Sequence, residues 1–322
     1  MPRITLAALL ILLLLPLLSH AWQPRLAAEA ILSGRGPAPL VGTDRPYLTG
    51  RNETLVELAA RAGVGYEALI NANPDIDPWH PPAGSRVLLP LAALVPLQAQ
   101  AGMTINLAEL RLYLIWQEAE KQRVRIYPIG IGREGRDTPL GRFRVINRVR
   151  DPSWTPPPGI RAERPALPAS IPPGPDNPLG GYWIGLSAEH IGLHGTNRTY
   201  GIGRQVSNGC IRLYSVDIED LFARAQTGMP VEIIYQPVKL GQRDEILYLE
   251  VHPDQRNAVP YPMAEILRQR DLIDPAAELD WNVVRELLRR RDGIPQPVSP
   301  EAWRQGQAPA QEEAGTAEDA RR

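Results

Sequence analysis

The sequence contains one cysteine, Cys210, among 322 residues, and its surroundings suit thiol chemistry. Cys210 follows Gly209, and His194 precedes both by a short loop. A thiol attacks as its thiolate, so it needs a base that takes its proton and a small neighbour that leaves the sulfur accessible. His194 is the candidate base, and Gly209 is the small neighbour. These residue types predict a cysteine nucleophile with a histidine as general base and acid.

Three further groups in this stretch suit covalent catalysis. The backbone carbonyl of Gly195 can hold the imidazole of His194 in one tautomer, a task for which no acidic side chain is evident. The backbone N–H groups of Gly209 and of the nucleophile itself form the predicted oxyanion hole. The guanidinium of Arg212 suits a substrate carboxylate, with a structural ion pair to an acid such as Asp217 as the alternative.

Composition argues against several other kinds of site and partner. Five histidines and one cysteine form no cluster at a recognised ligand spacing, so neither a metal nor a cofactor is predicted. Lys and Arg total 35 against 36 Asp and Glu, without an extended basic block, which disfavours nucleic acid as a partner. One cysteine cannot form an internal disulfide.

The first 21 residues have the pattern of a secretory signal peptide. A cationic start precedes an apolar run from Ile4 to Leu18, which is shorter than the ~20 residues that span a bilayer. Ser19 and Ala21 then supply small side chains before a cleavage site. We therefore expect an exported protein. The alternative is an uncleaved N-terminal segment, which would then be its only contact with the membrane.

Changes in composition and periodicity divide the chain into predicted segments. In chain order they are the signal peptide (1–21), a linker (22–43), a small module (44–92), a second linker (93–103), the catalytic domain (104–236), a C-terminal subdomain (237–299) and a disordered tail (300–322). Within the catalytic segment we predict strands at 104–107, 111–116, 124–131, 142–146, 182–186, 191–194 and 231–235, a helix at 214–225, and a long Pro-rich loop at 150–181.

This order of elements predicts a mainly β protein with some α structure. The catalytic domain is expected to be a β-sandwich or barrel-like body, because strand follows strand with one helix near the cysteine. The segment 237–299 is an α/β extension, with a predicted strand at 245–251 and helices around 263–270 and 281–291.

The segment 44–92 has the order strand, helix, helix, strand. The residues that define it are Glu53-Thr54-Leu55, the turn from Ala59 to Val64, Leu69, Asn71, Asn73-Pro74 and Gly84 through Pro90. This pattern resembles a LysM module, although Thr49-Gly50-Arg51-Asn52 departs from the usual opening. The resemblance implies binding to the N-acetylglucosamine backbone of peptidoglycan or chitin. A spacer domain without glycan affinity is the alternative.

The stretch around Cys210 carries a motif of high specificity. Its parts are His194-Gly195-Thr196-Asn197, Gly201-Ile202-Gly203 and Val206-Ser207-Asn208-Gly209-Cys210-Ile211-Arg212-Leu213. The motif resembles the active site of L,D-transpeptidases with a YkuD-type catalytic domain, as do the segments 128–132, 137–139, 152–156 and 172–178. Gram-negative members also have a signal peptide and a LysM-like module. Asn208 departs from the histidine of many members, and because an amide cannot accept a proton, His194 must be the base.

The resemblance implies a ping-pong acyl transfer on peptidoglycan in the periplasm. The Cys210 thiolate attacks the carbonyl between diaminopimelate and D-Ala of a tetrapeptide stem, and D-Ala leaves with a proton from His194. An amine of a second stem then gives a 3-3 cross-link, or a lysine of an outer-membrane lipoprotein becomes tethered to the wall. Carbapenems are expected to acylate the same thiol. The residues expected to contact substrate are Thr196, Ser207, Asn208 and Arg212.

Other functions remain open at this point. With water as acceptor, the same residues would make a carboxypeptidase, or a hydrolase that detaches wall-bound lipoprotein. A non-catalytic wall-binding protein would use the segment 44–92 alone. A papain-like protease is disfavoured, because here the histidine precedes the cysteine by a short loop and β-strands carry the pair.

Overall fold

The structure is a computed structural model that describes residues 29–32 and 36–300. The predicted signal peptide and the predicted tail beyond residue 300 lie outside the described residues. The strands are β1 (Glu29–Ile31), β2 (Leu40–Val41), β3 (Arg45–Leu48), β4 (Arg86–Leu89), β5 (Ala93–Leu94), β6 (Gly102–Asn106), β7 (Arg111–Glu118), β8 (Lys121–Pro128), β9 (Ile131–Gly132), β10 (Gly141–Arg150), β11 (Tyr182–Leu186), β12 (Gly192–His194), β13 (Gln205–Ser207), β14 (Ile211–Arg212), β15 (Pro230–Ile234), β16 (Val238–Arg243), β17 (Ile246–Val251) and β18 (Gln296–Pro297). The helices are α1 (Leu55–Ala62), α2 (Tyr66–Asn71), α3 (Pro158–Glu163), α4 (Ser215–Arg224), α5 (Pro262–Ile273) and α6 (Trp281–Arg290), with a 3-10 turn at Thr199–Gly201.

One curled sheet forms the body of the catalytic segment. Its nine strands follow the order β1-β8-β7-β6-β15-β10-β11-β12-β14. The long strand β10 joins the two halves: residues 141–144 pair with β15, and residues 145–150 pair with β11, with a register shift between Val145 and Asn147. Side chains of both halves meet in one core, which includes Ile105, Leu112, Val231, Ile184 and Leu193. The mainly β prediction is confirmed, but one continuous sheet replaces the two separate sheets of a sandwich.

The strand β7 shows why strands of this sheet have continuous apolar sequences. Successive side chains of a strand point to opposite faces. Leu112 and Leu114 enter the central core, whereas Tyr113 and Ile115 enter a second cluster on the other face. Because both faces are buried, the run lacks the alternation of polar and apolar residues that a half-exposed strand would show.

The segment between β3 and β4 folds as a small βααβ unit, which we call the N-terminal module (residues 45–89). The strands β3 and β4 pair antiparallel, and α1 and α2 pack on a core of their own. Thr54 caps α1 by accepting the N–H of Glu57, and Gly63 ends the helix in the left-handed conformation with φ +73°. The predicted order of elements is confirmed, and glycan affinity remains a prediction.

Both predicted linkers contain strands. Within 22–43, β1 pairs with β8 at the edge of the large sheet, and β2 pairs with β5. Within 93–103, β5 and the start of β6 are likewise paired. Strands of two or three residues have no detectable periodicity, so their partners, which are distant in the sequence, decide their conformation. Parts of both predicted linkers are therefore paired in sheets, and the boundaries of the two segments stay a prediction.

The C-terminal segment adds the three-stranded sheet β16-β17-β18, covered by α5 and α6. A buried charge cluster joins it to the large sheet: Lys239 Nζ donates to Glu109 Oε2 at 2.7 Å, and an Arg111 Nη atom donates to Glu250 Oε1 at 2.7 Å. His252 Nε2 also lies 2.7 Å from Glu250 Oε1. Although two carboxylates and an imidazole converge here, Lys239 and Arg111 already neutralise both acids. The cluster is therefore a structural ion-pair network.

Within the part of the chain that the structure describes, no helix has the length and hydropathy needed to cross a bilayer.

Candidate active site

Two neighbouring strands bring the chemically competent residues to one face of the sheet. The strands β12 and β14 are parallel, with His194 opposite Arg212 and Leu193 opposite Ile211. Leu193 and Ile211 are fully buried in the core, so His194 and Arg212 take the other face. Cys210 stands two residues before Arg212, and the charge of Arg212 lowers the pKa of both Cys210 and His194. The structure thus brings together a thiol, an imidazole and a guanidinium, which the sequence separates by a loop.

The strand that carries Arg212 is held on both sides. Beyond its pairing with β12, Arg212 exchanges two backbone hydrogen bonds with Gly130, at 2.8 and 2.9 Å. Leu213 N–H also donates to the carbonyl of His194 at 2.9 Å. This short strand therefore has partners on both edges, which fixes the position of the residues that follow Cys210.

His194 is arranged as a neutral base. Its Nδ1 lies 2.6 Å from the carbonyl oxygen of Gly195, and because a carbonyl only accepts, Nδ1 carries the proton. Nε2 is then the basic nitrogen. Burial, aided by the charge of Arg212, lowers the pKa of His194 to about 4, while the Gly195 carbonyl opposes the shift. At neutral pH the imidazole is uncharged and able to accept a proton.

Cys210 is arranged as a protonated thiol. Burial raises its pKa, and the backbone N–H of Gly192 and the charge of Arg212 only partly offset this. Its Sγ donates to the backbone carbonyl of His190 at 3.4 Å. Since the resting thiol keeps its proton, attack on a substrate requires transfer of that proton to a base. His194, on the adjacent strand, is the group that suits this task.

A tight turn sets the backbone before the sulfur. The Gly209 N–H donates to Ser207 Oγ at 3.2 Å, and that hydroxyl donates to the carbonyl of Cys210 at 2.5 Å. Gly209 has φ +107°, a conformation that favours glycine. The Gly209 amide is therefore engaged within the turn rather than directed outward as an oxyanion-hole donor. These contacts also favour a positioning role for Ser207 over the predicted contact with substrate.

Thr138, which the sequence analysis quoted only as part of a motif, holds this turn by hydrogen bonds. Its hydroxyl is fully buried, donates to the carbonyl of Gly209 at 2.8 Å and accepts the N–H of Gly132 at 3.0 Å. Both hydrogen-bonding capacities of the hydroxyl are thus used to join the turn to β9. The Asp137-Thr138-Pro139 motif was the signal that could have identified it.

The remaining predicted contact residues differ in their surroundings. Thr196 is buried, and its hydroxyl accepts the N–H of Arg198 at 3.0 Å, so it shapes its own loop. Asn208 is exposed, and its side-chain oxygen accepts from Arg133 at 3.3 Å. The Thr196 hydroxyl is therefore already used in a hydrogen bond within its own loop, whereas the Asn208 side chain is accessible to a substrate from solvent.

Arg212 has spare hydrogen-bonding capacity. Its Nε is buried without a hydrogen-bond partner, and its guanidinium forms no ion pair with a carboxylate among residues 29–32 and 36–300. The alternative of a structural pair with Asp217 is therefore not supported. A half-buried guanidinium whose Nε has no hydrogen-bond partner, beside a nucleophile, suits an anionic group of a substrate.

Trp183 is a site residue that the sequence analysis missed. It lies opposite His194 in the pairing of β11 with β12, and the two rings stack with centroids 6.1 Å apart and planes at 21°. A Cβ on Gly192 would lie 2.4 Å from the Trp183 ring, so only glycine lets the indole lie there. The indole helps to exclude water from His194. The sequence signal that could have identified Trp183 is its spacing from Gly185: the two residues are two apart in the predicted strand 182–186 and so share one face.

Comparison with known proteins identifies the family of the chain. Residues 100–233 match the model of the YkuD family, the L,D-transpeptidase catalytic domain. The chain is 38% identical over 262 residues to the probable L,D-transpeptidase ErfK/SrfK of Escherichia coli K12, covering 77% of this chain and 83% of that protein. The Salmonella typhimurium protein of the same name is 38% identical over 277 residues, with 81% and 88% covered. The probable L,D-transpeptidase YcfS of Escherichia coli K12 is 43% identical over 211 residues, with 62% and 65% covered. On the strength of these matches over most of its length, the chain belongs to the L,D-transpeptidase family and is an enzyme of that family.

Proposed function

We propose that the enzyme transfers the acyl group of a peptidoglycan tetrapeptide stem through a thioester on Cys210. The observation that carries the proposal is the position of Arg212, which lies opposite His194 in the pairing of β12 with β14 and whose charge lowers the pKa of both His194 and Cys210. These residues supply a nucleophile, a neutral base and a cation within one partly buried site. Membership of the L,D-transpeptidase family supports a wall peptide as the substrate.

Acylation exchanges the amide bond of the stem peptide for a thioester bond to Cys210. Nε2 of His194 takes the thiol proton while Sγ of Cys210 attacks the carbonyl carbon of the bond between diaminopimelate and D-Ala. The tetrahedral intermediate collapses when the C–N bond breaks, and the D-Ala amine leaves with the proton from His194. The product is a thioester and free D-Ala. The N–H of Cys210 is the predicted donor to the oxyanion, because that of Gly209 is engaged in the turn.

Deacylation uses the same residues in reverse. An acceptor amine attacks the thioester, His194 takes the amine proton, and the thiol is restored as the new amide forms. A diaminopimelate amine of a second stem would yield a 3-3 cross-link, and a lysine of an outer-membrane lipoprotein would tether that protein to the wall. If water takes this position instead, the enzyme acts as a carboxypeptidase or hydrolase.

We place the reaction in the periplasm of a Gram-negative cell, because the first 21 residues have the pattern of a signal peptide and the proposed substrate lies there. The N-terminal module is proposed to contact the glycan strands as a LysM-like unit. Carbapenems, which carry a strained amide, are expected to acylate Cys210 without turnover.

The proposal is tested with the mature chain, residues 22–322, mixed with disaccharide tetrapeptides that contain diaminopimelate. Mass spectrometry follows D-Ala release and the mass of the protein. We expect D-Ala release, an acyl adduct on Cys210 and cross-linked dimers, and we expect no adduct with Cys210→Ala or His194→Gln. D-Ala release without dimers would call for a lysine-ended lipoprotein peptide as acceptor. Release by the Cys210→Ala variant would refute the thioester mechanism.

A further inference from the structure

The first turn of α2 contacts the loop that joins His194 to Cys210. The N–H of Tyr66 donates to the carbonyl of Ile202, and the N–H of Glu67 donates to the carbonyl of Gly203, both at 3.2 Å. N–H groups in the first turn of a helix have no partner within the helix. Gly65, the N-cap residue, has no side chain to provide one. Two carbonyl groups of the catalytic loop therefore cap a helix of the N-terminal module.

The loop and the N-terminal module pack closely at this contact, through both backbone and side-chain atoms. Gly203 has φ +75°, and a Cβ there would lie 2.3 Å from the Tyr66 nitrogen and 2.5 Å from Cα of Gly65. The guanidinium of Arg204 lies 3.7 Å from the centroid of the Tyr66 ring, a favourable cation–π distance. The two backbones thus approach so closely that only glycine fits, and an arginine of the catalytic loop lies over an aromatic ring of the module.

The same loop contacts the active site on its other side. A Cβ on Gly201 would lie 3.4 Å from an Nη atom of Arg212, so this residue packs directly against the guanidinium. The Gly203 N–H donates to the carbonyl of Ile129 at 2.9 Å. Gly130, the next residue, exchanges backbone hydrogen bonds with Arg212. The loop therefore lies between the N-terminal module and the cation of the active site.

We propose that the N-terminal module is a positioning part of the active site. Its helix α2 holds the loop Gly201–Arg204, and this loop holds the guanidinium of Arg212 beside Cys210 and His194. The module thus acts on the reaction through its contact with the loop, independently of any affinity for glycan. This inference deepens the proposed function and rests on it for the peptide substrate, whereas thiol reactivity tests the positioning by itself.

The test compares Tyr66→Ala, Arg204→Ala and the double variant in the mature chain. The rate at which iodoacetamide alkylates Cys210 reports thiolate reactivity, and steady-state kinetics with the tetrapeptide give KM and kcat. Each single change removes the same cation–π contact, for which about a three- to fivefold slower alkylation and a KM raised about as much are expected. Because the contact is shared, the double variant should be no slower than either single variant.

Two matched controls separate positioning from general stability. Tyr66→Phe keeps the ring and should stay within about twofold of the parent rate. Tyr47→Ala removes an aromatic ring from the same module, where its hydroxyl contacts Glu53 and Arg61 rather than the loop, and it should leave alkylation unchanged. Unchanged alkylation and KM in the Tyr66→Ala and Arg204→Ala variants would overturn the inference, as would strictly additive losses or an equal loss with Tyr47→Ala.

The outcomes also distinguish this inference from the proposed function. If the parent protein releases no D-Ala but alkylation responds as expected, the peptide reaction fails and the positioning role stands. If D-Ala is released and the variants alter neither alkylation nor KM, the positioning role fails and the reaction stands.

Discussion

His194 Nδ1 lies 2.6 Å from the carbonyl oxygen of Gly195, the residue that follows it in the chain. In a Ser-His-Asp triad a carboxylate occupies this position and stabilises the imidazolium that forms during the reaction. A carbonyl carries only a partial negative charge, so it fixes the tautomer while providing less stabilisation of the charged ring. The pair therefore favours a base that is neutral at rest, and this has a measurable consequence for pH dependence.

Activity should decline on the acid side only at pH values far below the usual pKa of histidine. Burial and Arg212 lower the pKa of His194 to about 4, so the base stays unprotonated until the pH falls to that value. We expect kcat/KM for D-Ala release to be flat on the acid side down to about pH 5 and to halve near pH 4. An acid limb centred near pH 6.5 would contradict a buried neutral base.

The same residue should affect stability in a defined direction. Its pKa is lower in the folded chain, about 4, than the ordinary value of 6.5, so the unfolded chain binds the proton first as the pH falls. This contribution to the free energy of unfolding is fully present above pH 6.5 and is lost progressively towards pH 4. Denaturation of the parent and of His194→Gln across this range should show a smaller pH dependence in the variant.

Replacing Arg212 with glutamine should shift two titrations upward. Its positive charge lowers the pKa of both His194 and Cys210, so its removal makes the imidazolium easier to form and the thiolate harder to form. We expect a higher acid limb for D-Ala release and a higher pH for half-maximal alkylation of Cys210. We also expect a KM for the tetrapeptide raised about tenfold or more, since a charge-assisted hydrogen bond contributes ~1.5–3 kcal/mol. Unchanged titrations together with unchanged kinetics would assign Arg212 to structure alone.

The hydroxyl of Thr138 should matter more to the reaction than its small size suggests. Thr138→Val keeps the shape but removes the donor to Gly209 and the acceptor for Gly132. Leaving two buried groups unpaired should destabilise the protein by ~1–3 kcal/mol and slow acylation of Cys210 about tenfold by loosening its turn. Thr138→Ser, which retains the hydroxyl, is the matched control. Equal acylation rates in the valine and serine variants would show that this hydrogen bond to the turn does not affect the reaction.

The buried charge cluster should dominate the stability of the C-terminal segment. Lys239 is only 1% exposed and contacts both Glu109 and Glu250. Lys239→Met leaves Arg111 to offset both buried carboxylates, Glu109 and Glu250, so one buried negative charge is uncompensated. We therefore expect a loss of ~3–5 kcal/mol in the free energy of unfolding, measured with urea. Arg268→Ala breaks an exposed ion pair with Glu265 and should cost no more than ~1 kcal/mol. Similar midpoints for the two variants would contradict this assignment.

The cluster should also make the protein sensitive to acid. Burial alone would raise the pKa of Glu250, but Lys239 and Arg111 outweigh it and hold this pKa well below its usual range. The carboxylate therefore stabilises the fold at pH values above 4.5, its ordinary pKa, and this contribution declines as the pH falls further. The urea midpoint of unfolding should therefore decrease as the pH is lowered below 4.5. A midpoint that stays constant down to about pH 3 would be inconsistent with the pairing.

Local patterns in the sequence were sufficient for most of the elements. The predicted strand at 182–186 coincides with β11, and the predicted helix at 214–225 contains α4. The predicted strand at 124–131, by contrast, is divided into β8 and β9, because the pairing with β7 ends at Pro128. Ile129 then contacts the loop before Cys210, and Gly130 pairs with Arg212. Periodicity shows that a segment is extended, but it contains no information about where the segment changes partner.

The sequence by itself determined the chemistry: a single thiol beside glycine, a histidine before a glycine carbonyl, and a guanidinium two residues beyond the sulfur. These follow from residue types and short spacings, which local sequence records directly. Only the tertiary structure decided that Trp183 covers His194, that Thr138 holds the turn before Cys210, that Lys239 pairs with Glu109, and that α2 contacts the catalytic loop. Each of these contacts joins separate elements of the chain, and their pairing depends on strand register and on the packing of those elements, which no local pattern specifies.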